Sequence, residues 1–70
     1  MVQQGVVLKL NGRHKKILEL VKQGGFLATE QLARDFSVST QTIRRDINML
    51  SGQGLLRRYH GGAGPTSSVE

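Results

Sequence analysis

The chain has 70 residues, room for one domain at most, and a core of that size is only marginally stabilising without disulfides or a metal. It contains no cysteine, which excludes disulfides and thiolate metal sites and suits a reducing compartment. Ten Lys and Arg against five Asp and Glu leave a net charge of +5, pointing to a polyanionic partner. With only His14 and His60 as nitrogen donors, neither a metal nor a cofactor is expected. No apolar run approaches the roughly 18 residues that span a bilayer. The start lacks the basic region and small-residue cleavage site of a secretory signal. The expectation is a soluble, cytoplasmic protein with no membrane association.

Residues 1–10 have apolar side chains without sustained period and are read as a lead-in. A first helix is expected over residues 12–23, with Asn11 capping its free N–H groups and Gly24-Gly25 stopping it. Ile17, Leu18, Leu20 and Val21 form its buried stripe. Arg13, His14, Lys15 and Lys16 crowd its first turn, where the helix dipole disfavours cations. They are either a solvated face or, for Arg13 above all, a place where a nearby phosphate offsets the repulsion.

Phe26-Leu27-Ala28 is a short extended stretch. Thr29 is expected to cap a second helix over residues 30–36, with Leu32, Ala33 and Phe36 facing inward. Ser37-Val38-Ser39 breaks the period, Val38 as a buried plug and Ser39 as the next cap. A third helix over residues 40–51 is closed by Gly52 and Gly54, and Ile43, Ile47 and Leu50 form its core line. Two helices joined by a turn of about three residues make a helix-turn-helix. Residues 55–60, followed by Gly61-Gly62-Ala63-Gly64, predict a β-hairpin turning near residues 57–59 and pairing back on residues 26–28. Residues 64–70 have the composition of a linker or tail. The domain is therefore expected over residues 11–63, mainly α with a small hairpin, as a three-helix winged helix-turn-helix.

Rotating the third helix by about 100° per residue puts Gln41, Arg45 and Asn48 opposite the Ile43–Ile47–Leu50 line. Arg44 lies on one flank, and Thr42 and Met49 on the other. Arg binds guanine O6 and N7 in a bidentate manner, and Gln or Asn does the same for adenine N6 and N7, so these three residues are candidate base readers. Ser39, Thr40 and Thr42 at the helix N-terminus, with Arg44, are candidates for the phosphate backbone. So are Arg57, Arg58, Tyr59 and His60 on the hairpin, and Arg13 on the first helix. Asp46 lies near the buried side and is expected to pair with an arginine from the hairpin or a neighbouring helix.

Phe36-Ser37-Val38-Ser39, Thr42-Ile43-Arg44-Arg45-Asp46, Leu50 and Arg58-Tyr59-His60-Gly61-Gly62-Ala63 together resemble the N-terminal domain of DeoR-type bacterial transcriptional regulators. The likeness covers residues 13–63. It implies a winged helix with residues 39–50 as recognition helix. It also implies a full-length repressor of sugar or polyol metabolism, whose C-terminal domain senses a phosphorylated metabolite. These residues could not form such a domain, so the expectation is a DNA-binding fragment ending in the linker. Residues 1–10 make a longer lead-in than the family suggests.

The expected partner is a double-stranded DNA operator, bound by a homo-oligomeric full-length protein. The rival reading is a winged helix used as a protein-interaction module. An enzyme is not expected, because no nucleophile–base pair, carboxylate dyad or metal cluster is visible. RNA binding would want an aromatic stacking platform, and the chain has only Phe26, Phe36 and Tyr59.

Overall fold

A computed structural model describes residues 10–66. Most of the lead-in and the last four residues of the expected tail lie outside the described residues. In chain order the elements are α1 (Gly12–Gly24), β1 (Leu27–Ala28), α2 (Thr29–Phe36), α3 (Thr40–Gly52), β2 (Arg57–Tyr59) and β3 (Gly62–Gly64). The result is a three-helix winged helix-turn-helix with a small antiparallel sheet.

Each helix starts where a backbone N–H finds an acceptor. At α1, Asn11 Oδ1 accepts the His14 N–H at 2.8 Å, and His14 Nδ1 accepts the Asn11 N–H at 3.2 Å. This is a reciprocal capping box with histidine in the usual Glu or Gln position. Gly25, at φ +82°, ends the helix in a conformation that disfavours a side chain. At α3, Ser39 Oγ accepts the Thr42 N–H at 3.1 Å. The start of α2 differs from the expected side-chain cap. Thr29 is itself the first helical residue, and Ala28 occupies the cap position without a side-chain hydrogen bond. Ala28 is still paired in the sheet, so the strand runs directly into the helix. The carbonyl of Gly61 takes the Thr29 N–H instead, at 2.9 Å.

Ser37 closes α2 in the left-handed region, at φ +58° and ψ +44°. That reversal sends the chain through Val38 and Ser39 into α3. Val38 packs against the core but is half-buried, short of the full burial expected of a plug. The core draws on every helix and the sheet: Ile17 and Val21, Leu32 and Ala33, Ile43, Ile47 and Leu50, then Leu56 and Ala63. Leu18, Leu20 and Phe36 pack around it, half-buried.

The hairpin needs the largest correction. Residues 57–59, expected to hold the turn, form strand β2, and the turn falls at His60 and Gly61. Gly61 sits at φ +82°, which glycine adopts without strain. Strand order is β1-β3-β2, so the glycine-rich β3 is the central strand. Leu27 pairs with Ala63 and Ala28 with Gly62; on the other edge Arg57, Arg58 and Tyr59 pair with Gly64, Ala63 and Gly62. Gly64, expected to open the linker, is thus a buried strand residue. A Cβ on Gly62 would collide with the Leu27 carbonyl and come within 2.6 Å of the Phe26 ring. The close approach of β1 to β3 therefore requires glycine there. Among the described residues, no helix is long and apolar enough to cross a membrane.

Candidate nucleic-acid interface

The two sides of α3 separate as its periodicity predicts. Ile43, Asp46, Ile47 and Leu50 are buried, while Gln41, Arg44, Arg45 and Asn48 are exposed. Thr40 and Thr42 are half-buried at the N-terminal end. Ser39 is exposed, but its hydroxyl serves the cap and lies 3.0 Å from that of Thr42. Arg44, Arg45, Arg57 and Arg58 make no ion pair among the described residues. Their charge is therefore available to a partner.

The buried side of α3 is tied to α1 through Asp46. Arg13 donates to both carboxylate oxygens, from Nε at 2.5 Å and from Nη2 at 3.2 Å. His14 Nε2 lies 2.9 Å from Oδ1. Because His14 Nδ1 already accepts the Asn11 N–H, the tautomer that fits carries its proton on Nε2 and donates to Asp46. Burial pushes the Asp46 carboxyl up, but the hydrogen bonds and charge of its two partners outweigh that and hold it below the ordinary aspartate range. Hydrogen bonding to Asp46 raises Arg13 in return, against a smaller opposing effect of burial. The anion that offsets Arg13 at the start of α1 is thus Asp46, an arginine partner from the neighbouring helix as expected of that carboxylate. Sequence reading grouped His14 with the surface cations and missed it. The Asn-x-x-His spacing of a capping box was the available signal.

On the wing, strand pairing sorts the side chains by face. Arg58 shares a face with Ala63 and Leu27, towards the core, whereas Arg57 and Tyr59 belong to the opposite face. There Tyr59 lies over Gly64, at 2.9 Å from the position a Cβ would take, and meets Phe26 edge-on with ring centroids 6.1 Å apart. Between α3 and the wing is a hollow. Arg44 and Asn48 line it from α3, Arg58 and His60 from the wing, and Thr29 and Glu30 from the start of α2. Tyr59 borders it as well, whereas Gln41, Arg45, Arg57 and Arg13 do not. Thr29 went unnoticed in the sequence beyond its capping propensity.

A helix-turn-helix whose third helix shows an exposed row of amide and guanidinium groups beside a cationic hairpin defines a DNA-binding domain of transcriptional regulators. Residues 13–69 match the model of the DeoR-like helix-turn-helix domain, and the chain belongs to that family. It is 57% identical over 63 residues to the glycerol-3-phosphate regulon repressor of Escherichia coli, a match covering 89% of this chain and 25% of the relative. The repressor of the same name from Haemophilus influenzae is 52% identical over 63 residues, covering 90% of this chain and 25% of the relative. The transcriptional repressor CsqR of Escherichia coli is 52% identical over 59 residues, covering 84% and 23%. The chain spans about a quarter of the length of these relatives. No solved structure matched it. The family is one of DNA-binding regulators, not enzymes.

Proposed function

We propose that the domain reads operator DNA with Gln41, Arg45 and Asn48 in the major groove and acts in repressing genes of sugar or polyol metabolism. One observation carries this: three exposed side chains suited to base edges lie in a row on a helix whose other face is core. Ser39, Thr40, Thr42 and Arg44 contact phosphates beside that row, and Arg57, Arg58, Tyr59 and His60 do so from the wing. Asp46 takes two of the five N–H donors of Arg13 and leaves the rest for the phosphate contact that its place in the first turn of α1 suggests. The names of the relatives support repression and a regulon of this metabolic kind. In the whole protein, a C-terminal domain senses a phosphorylated metabolite. Homo-oligomerisation there places two copies of this domain on half-sites about one helical turn apart, in the cytoplasm.

Selection of binding sites from random duplex DNA tests the reading. Arg45→Ala should lose roughly 1–3 kcal/mol on the selected site and relax its preference, while Arg58→Ala should weaken all sequences about equally. Unchanged preference in Arg45→Ala would refute the assignment of the reading face. A protein-interaction module would instead select no sequence and show little dependence of affinity on salt.

A further inference from the structure

The hollow between α3 and the wing has features that base reading does not use. At the start of α2, Ala28 supplies no side-chain cap, and among the described residues only the Thr29 amide of the first turn is taken up, by the Gly61 carbonyl. Thr29 is 7% exposed, lines the hollow, and its hydroxyl makes no hydrogen bond to any described residue. A threonine hydroxyl with no partner among the described residues can donate to an acceptor seated in the hollow. Arg44 and Arg58 flank the same space from two elements, exposed and without ion pairs among the described residues.

We infer that this hollow seats one phosphate of the DNA backbone, held jointly by Thr29, Arg44, Arg58 and the free amides of the first turn of α2. The inference rests on the DNA-binding reading above and adds that two arginines from different elements converge on a single phosphate. Helix N-terminal amides and guanidinium groups are both suited to phosphate oxygens. Glu30 lines the hollow too. Its carboxylate opposes an anion but is outnumbered by the two guanidinium groups. A seat shared by α2, α3 and the wing would set the register of the recognition helix along the groove.

The test uses a selected duplex carrying a single neutral methylphosphonate, moved along the backbone one position at a time. One position per half-site should weaken wild-type binding roughly tenfold, the loss expected of a charge-assisted contact. Arg44→Ala plus Arg58→Ala should abolish the sensitivity of that position. Either single variant should barely change the slope of log affinity against log salt, because the other arginine still neutralises the phosphate. The double variant should lower the slope by about one. Thr29→Val keeps the shape and should fold normally, yet lose several-fold in affinity on the unmodified duplex alone. Glu30→Gln should strengthen binding. Two separate sensitive positions, each tied to one arginine, with a slope lowered by about two in the double variant, would overturn the inference while leaving sequence reading intact. Displacement of DNA by inorganic phosphate at matched ionic strength would reassign the hollow to a free phosphate ligand. Selection of no sequence at all would sink both readings.

Discussion

Replacing Asp46 with Asn removes a charge while keeping the shape of a side chain that is 5% exposed. The carboxylate accepts two hydrogen bonds from Arg13 and one from His14. Hydrogen bonds to buried charged groups are worth about 1.5–3 kcal/mol net. The Arg13 side chain is 27% exposed, so part of that is screened by solvent. Asn retains one acceptor oxygen but presents an amide N–H₂ to a donor. The expected cost at pH 7 is therefore about 2 kcal/mol, out of a total of roughly 4–10 kcal/mol for a chain of this length. That corresponds to a fall in Tm of about 8–16 °C, measurable by thermal unfolding followed by circular dichroism. Acid provides an internal control. The folded-state carboxyl titrates below its unfolded counterpart, so its contribution is full above about pH 4 and is lost as the pH falls through the folded value. The gap between wild type and Asp46→Asn should narrow as the pH falls from about 4 towards about 2. Equal stabilities at pH 7, or a gap that persists undiminished in acid, would show that the ion pair does not hold α1 against α3.

Two further substitutions probe the backbone. Ser37→Gly should stabilise the domain by roughly 0.5–1 kcal/mol in urea unfolding, since glycine adopts the left-handed turn between α2 and α3 without strain. A loss of stability would mean that contacts of the serine side chain outweigh the strain. Gly62→Ala should cost about 3 kcal/mol, because the added methyl meets the Leu27 carbonyl and the Phe26 ring. Retention of the wild-type unfolding midpoint would contradict the close strand approach.

The helices were legible because each carries its own local instructions. Asn11 caps α1 and Ser39 caps α3, and Ile43, Ile47 and Leu50 repeat at a period only a helix satisfies. The exposed row of Gln41, Arg45 and Asn48 is set by that same period. Whatever depended on distant partners was harder to read. Thr29 has the local chemistry of a cap, but the carbonyl that satisfies its amide comes from Gly61, late in the chain. Arg13 looked unpaired at the start of a helix because its carboxylate lies far along the sequence, on α3. The hairpin was misplaced because β3 is built from Gly62, Ala63 and Gly64. Such a run has none of the alternation that marks a strand and the composition that marks a loop.

The bond from Thr29 to Gly61 joins the tip of the hairpin to the helix-turn-helix. Wings are often pictured as flaps that settle on DNA after the recognition helix has docked. Here the tip is tethered to the first turn of α2, and the strand behind it is locked between two others. Wing and recognition helix should therefore meet the duplex as one rigid surface, with little ordering entropy lost on association. Such a preformed surface tolerates only a narrow range of DNA shapes. Flanking sequences that alter groove width would then be discriminated even where no side chain touches a base.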